Sequence, residues 1–181
     1  MVKKILQVKD SEKKLRERSR EVTKNEILTP EISKLKEDLV DTLRAQKAGV
    51  GISSIQIGNA VRMFVVEIKP TPNRPDLEHL GPIYFFNPVV IQKSDNKVKM
   101  YEACLSISNA DLYGNVERMD SVSIKYLDEN AEEQTTDYTG FLARVVLHEL
   151  DHLDGRLFTD RAEPESLMDG ESYRKMNARK K

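Results

Sequence analysis

The chain has 181 residues, of which 39% are hydrophobic and 33% charged, with a formal net charge of -1. That length suits one domain with a sizeable core, and the charge balance lacks the basic excess of a protein that lives on nucleic acid. No apolar run approaches the ~20 residues that span a bilayer, so no membrane role is expected.

Met1-Val2-Lys3-Lys4-Ile5-Leu6 leads into a charged stretch containing Lys9, Glu12, Glu17 and Glu21, not into an apolar core. Neither a secretory signal nor an acid-poor transit peptide is expected, and the chain reads as cytoplasmic. Thr29-Pro30-Glu31 then has the features of a helix start: a capping hydroxyl, a proline at the first position and an acid at the positive end of the dipole. Ile32, Leu35, Leu39 and Leu43 recur at helical spacing, which predicts a helix over 30–46. Strands are predicted over 61–68, 83–86 and 89–91, the last two separated at Asn87-Pro88, with a proline-rich loop over 69–81. Further strands are predicted over 98–106, 122–127 and 133–138, with a turn at Asp128-Glu129-Asn130.

A second long helix is predicted over 139–153, with Gly155 placed to stop it. Leu142, Val145, Val146, Leu147, Leu150 and Leu153 make it apolar on several sides, so it should be buried. The expected architecture is α+β, with antiparallel sheets wrapped around this central helix. One catalytic domain over 1–181 is expected, with its core at about 5–162 and a C-terminal tail over 163–181 of helical propensity. The tail carries Arg174, Lys175, Arg179, Lys180 and Lys181; a solvated terminus is the plainer reading, and contact with a polyanion the alternative.

The buried helix carries His148-Glu149-Leu150-Asp151-His152. Histidines at i and i+4 lie ~40° apart around the axis, so both rings can converge on one cation. The glutamate beside them can reach water activated by that cation. Buried imidazoles and carboxylates need partners, which favours a metal over chance. The pattern does not name the third ligand. Phe158 stands where one protease class has a third histidine, which excludes that class. A downstream glutamate, Glu163, Glu165 or Glu171, would make a different protease. The lone cysteine, Cys104, needs no oxidising compartment, and its thiolate suits iron(II), zinc, nickel or cobalt.

Three segments in order resemble the motifs of the peptide deformylases: Gly49-Val50-Gly51-Ile52-Ser53-Ser54-Ile55-Gln56, Glu102-Ala103-Cys104-Leu105-Ser106 and His148-Glu149-Leu150-Asp151-His152. Weaker similarity surrounds them, at Ile5, Asp10, Leu15 and Arg16, at Leu112-Tyr113-Gly114, Val116 and Arg118, and at Gly140 to Arg144. The resemblance implies a metal-dependent hydrolase that removes the formyl group from the N-terminal formyl-methionine of new polypeptides. It implies Cys104, His148 and His152 as ligands, usually of iron(II), with zinc, nickel or cobalt able to occupy the site. It implies Glu149 as general base, and Gln56 with the backbone N–H of Leu105 as oxyanion donors. An extended substrate would pair with the segment of Gly49 and Gly51, its methionine entering a pocket walled by Ile52, Phe141, Val145 and His148. Glu102 and Arg118 match an ion pair behind the metal, and the basic tail is a candidate contact with the ribosome.

The sequence departs from the family pattern in places. Ser53, Ser54 and Ile55 stand where two alanines and a proline are usual, Ala103 replaces a glycine, and Leu147 replaces a glutamine. Residues 108–111 are about two longer than in common bacterial versions. None of these removes a ligand, the base or an oxyanion donor. Two other functions are kept open: a small metalloprotease with a glutamate as third ligand, and a divergent deformylase-like binding protein.

Overall fold

The computed structural model describes residues 1–47, 49–70 and 79–178. In chain order its elements are α1 (Val8–Leu15), α2 (Lys24–Ile27), α3 (Pro30–Arg44), β1 (Gly51–Ser53), β2 (Met63–Ile68), β3 (Leu80–Lys93), β4 (Lys97–Glu102), β5 (Leu112–Met119), β6 (Ser121–Leu127), β7 (Glu133–Thr139), α4 (Gly140–Leu153), β8 (Met168–Asp169) and α5 (Gly170–Ala178). All named strand pairings are antiparallel. One sheet has the order β1-β2-β3-β6-β7 and the other β4-β5-β8. The fold is α+β.

Thr29 accepts a hydrogen bond from the backbone N–H of Ile32 and Pro30 opens α3, as the local chemistry requires. The buried face of α3, with Leu35, Leu39 and Leu43, packs on Ile52, Met63 and Val65. Alternate residues of β2, Phe64 and Val66, turn to the opposite face and pack with Ala143, Val145 and Val146 of α4. Strand β2 is therefore covered on both sides, and all six of its residues are buried. Gly155, at φ +72, ends the chain's second long helix in the left-handed region.

The expected break at Asn87-Pro88 is instead a bulge inside one continuous β3, with register shifts between Phe86 and Val89. Asn87 adopts φ +49, and its side chain both accepts from Val22 N and donates to Val22 O. That amide takes over bonds that the irregular backbone cannot make. Strand β4 ends at Glu102, short of the expected 106, because the chain turns there, with Ile107 N donating to Cys104 O at 3.0 Å. The loop expected over 69–81 loses its last two residues to β3, and 71–78 lie outside the described residues. After residue 163 the chain first forms a 3-10 turn and then β8, which pairs with β5. Helix α5 follows, with Tyr173 stacked on Tyr113 at 4.1 Å between ring centroids.

Candidate metal centre and active site

Helix α4 carries charge into the interior. Arg144, Glu149, Asp151 and His152 are all buried on it. Each needs a partner, and the partners come from β1, β4, β5 and the turn after β4.

Cys104, on that turn, reaches the helix. Its Sγ lies 3.2 Å from Nε2 of His152, and one ligating atom each from Cys104, His148 and His152 fall within 4.8 Å of one another. Among the described residues this is the one such group able to hold a metal. A thiolate and two imidazoles form a donor set suited to a borderline-soft divalent cation, with a tetrahedral position left over. Glu163 pairs with Lys99 and Glu171 with Lys175, while Glu165 is exposed; none joins the group.

Glu102 holds the back of the site. Its Oε2 lies 2.9 Å from Nδ1 of His148, which leaves the other ring nitrogen for a cation. Arg118 grips both Glu102 oxygens, at 2.6 and 2.9 Å, and Arg144 adds a third contact at 2.6 Å. Burial alone would raise the Glu102 carboxyl, but His148 and Arg118 draw its pKa well below the usual carboxylate range. The chain of charges continues from Arg118 to Asp151 at 2.8 Å and from Asp151 to Arg161. The sequence alone assigns no role to Arg144, Asp151 or Arg161. The signal was present for two of them: single charges inside an apolar helix cannot be buried unpaired.

Glu149 is 4% exposed and lies against β1. Burial raises its carboxyl above the ordinary value, opposed by the charge of His148 and by a hydrogen bond from Ser53. Ser53 Oγ sits 2.7 Å from Oε2 of Glu149 and 3.0 Å from its backbone oxygen. An ideal Cβ on Gly51 would fall 2.8 Å from Oε1 of Glu149. Gln56 follows on a 3-10 turn. Its Oε1 accepts from Ser53 N at 2.9 Å, which aims Nε2 at Cys104 Sγ, 3.6 Å away, and at Ser106 Oγ, 3.1 Å away. Leu105 N has no acceptor among the described residues.

Residues just ahead of α1 and at its start brace these two segments. Leu6 N donates to Gln56 O and Val8 N to Ser106 O, while Gln7 Nε2 donates to Leu105 O. The candidate pocket residues divide between two clusters. Val145 and Phe141 lie in the α4 cluster, whereas Ile52 is fully buried in the α3 cluster. Gly49 lies beside Leu43, Gln46 and Leu105. Of the departures from the family pattern, Ser53, Ser54 and Ile55 are completely buried, and Ser54 Oγ donates to Val61 O. Leu147 packs into the apolar α4 cluster.

The polypeptide deformylase family profile matches residues 2–167. Peptide deformylase 2 of Nostoc sp. is 37% identical over 132 residues, covering 73% of this chain and 72% of its own. The peptide deformylase of Desulforudis audaxviator is 38% identical over 148 residues, covering 82% and 86%. A Met-Ala-Ser-bound class I type b peptide deformylase from Acinetobacter baumannii superposes with a TM-score of 0.81 at 31% identity, over 89% of this chain and 98% of that one. A thiol and two imidazoles able to hold a cation, the buried carboxylate beside them and these relatives agree on one assignment: this chain belongs to the polypeptide deformylases, metal-dependent hydrolases that remove the N-formyl group from newly made polypeptides.

Proposed function

We propose that Cys104, His148 and His152 hold iron(II), with zinc, nickel or cobalt as substitutes, and that Glu149 is the general base for deformylation. The observation carrying this reading is the convergence of one thiol and two imidazoles within 4.8 Å, beside a buried carboxylate. A divalent cation held there supplies Lewis acidity that makes water nucleophilic near neutral pH. Glu149 takes the attacking water's proton and delivers it to the departing amine. Attack on the formyl carbon leaves an oxyanion, which the Gln56 amide and the Leu105 N–H stabilise; one such donor is worth about 3 kcal/mol.

The substrate is a formyl-methionyl peptide in extended form, bound beside the segment of Gly49 and Gly51. The Met-Ala-Ser peptide on the Acinetobacter relative supports a site for methionine-first chains. Phe141 and Val145, on the α4 side, are the methionine-pocket candidates whose positions agree with each other. Processing of nascent chains favours a cytoplasmic location. Among the described residues no helix is long and apolar enough to cross a membrane. The basic tail, with Arg174 and Lys175 among its residues, is a candidate contact with ribosomal polyanion, beside the plainer reading of a solvated terminus. One catalytic domain, with a core over about 5–162 and a helical tail, accounts for the family match over 2–167.

The test is formate release from a formyl-methionyl peptide after anaerobic iron(II) loading. The expected outcome is metal-dependent turnover that falls at least 100-fold in Glu149→Ala. Tight peptide binding without turnover, with every metal tried, would leave a binding protein instead.

A further inference from the structure

We propose that Ser53 is a positioning residue for the Glu149 carboxylate, an inference that rests on Glu149 being the general base. Strand β1 alternates its faces: Ile52 enters the α3 cluster, while Gly51 and Ser53 face Glu149. Ser53 is completely buried and its hydroxyl carries one proton. Of its two acceptors, the carboxylate oxygen at 2.7 Å is the stronger and the backbone oxygen at 3.0 Å the weaker. The hydroxyl therefore fixes the rotation of the Glu149 carboxylate from one side, while the missing side chain of Gly51 lets its other oxygen settle against the strand.

The same residue acts on a second group. Its backbone N–H holds Oε1 of Gln56 at 2.9 Å, so the Gln56 amide presents its N–H groups to the Cys104 side. Ser53 thus sets the carboxylate and the amide relative to one another, across 96 positions of sequence. Ser53→Ala would keep the backbone bond to Gln56 and lose only the hold on Glu149. Because the hydroxyl touches the base and not the substrate, its effect should lie in turnover and vanish when the base is absent.

Ser53→Ala, Glu149→Ala and the double variant are compared by formate release, with metal content and melting temperature measured alongside. The expected result for Ser53→Ala is a kcat about tenfold lower, KM within twofold of wild type, and unchanged metal content. In the Glu149→Ala background the same substitution should change nothing further. An unchanged kcat in Ser53→Ala, or an equal loss in both backgrounds, overturns the role of Ser53. Unchanged formate release in Glu149→Ala overturns the base assignment instead, so the two failures are distinct. If Ser53→Ala does not fold, Ser53→Cys, which replaces the strong donor by a weak one, is read the same way.

Discussion

Gly51 and Glu149 occupy space that only a residue without a side chain can share: a Cβ at 51 would lie 2.8 Å from Oε1, 2.9 Å from Cγ and 3.1 Å from Cδ of the glutamate. Gly51→Ala must push the carboxylate away. We expect kcat to fall about 100-fold with the metal retained, since small displacements of a reacting group cost that much. Gly49→Ala should be milder, because its closest neighbour is Leu43 Cδ1, the end of a flexible side chain. Equal kcat values for both variants would refute the distinction.

Glu102 supports the fold through its charge. It is enclosed by Arg118, Arg144 and His148, and its pKa is depressed. A depressed carboxyl stabilises the folded state fully above its unfolded value of about 4.3, and that stability is lost as the pH falls through the lower folded value. Glu102→Gln takes a carboxylate from two buried guanidinium groups, of which Arg118 keeps Asp151, and should cost roughly 3 kcal/mol near neutral pH. The gap to wild type should narrow as the pH drops below the unfolded value, because the unfolded carboxyl then takes up a proton while the folded one keeps its charge. Denaturant unfolding at pH 7 and pH 3.5 measures it; a gap that widens with acid would contradict the sign.

Cys104→Ser exchanges a soft thiolate for a hydroxyl. Metal measured after dialysis should be substoichiometric for zinc and cobalt. Retention of tight zinc in this variant, together with its loss in Glu165→Ala or Glu171→Ala, would instead point to a glutamate ligand and a protease.

Tyr173 anchors α5 by stacking on Tyr113 and leaning on Tyr101, with centroids 5.3 Å apart in the second pair. Tyr173→Ala should remove about 1 kcal/mol of ring contact beyond the area lost. Hydrogen exchange in 170–178 should accelerate while formate release stays within twofold, since the ring is not part of the metal group. Unaltered exchange would mean that the helix is held by other contacts.

The elements that the sequence made legible are those whose cause is local. The α3 start is written in Thr29-Pro30, and α4 in its apolar residues and Gly155. Asn87-Pro88 looks like a stop, so local sequence divides β3 in two; the bulge is maintained by Val22, 65 positions away. Helix α1 is short and charged, with Val8 and Leu15 as its apolar residues, too few to mark a helix by their spacing. At the metal centre, residue types and motif order pointed to Cys104, His148 and His152, and the structure brings those three together. It does not bring Ile52 together with Phe141 and Val145, because β1 turns alternate residues to opposite faces. Ser53 was visible only as a departure from a pattern, since its acceptor lies far along the chain.

Cys104 and His152 stand 48 positions apart. A covalent tie across a loop of that length restricts the unfolded chain by about 4 kcal/mol, and a shared cation acts in the same sense as a removable staple. Chelation should therefore lower the melting temperature as well as silence turnover, with both returning together on reloading. The three side chains can meet only after α4 has been made, since Cys104 precedes that helix in the chain.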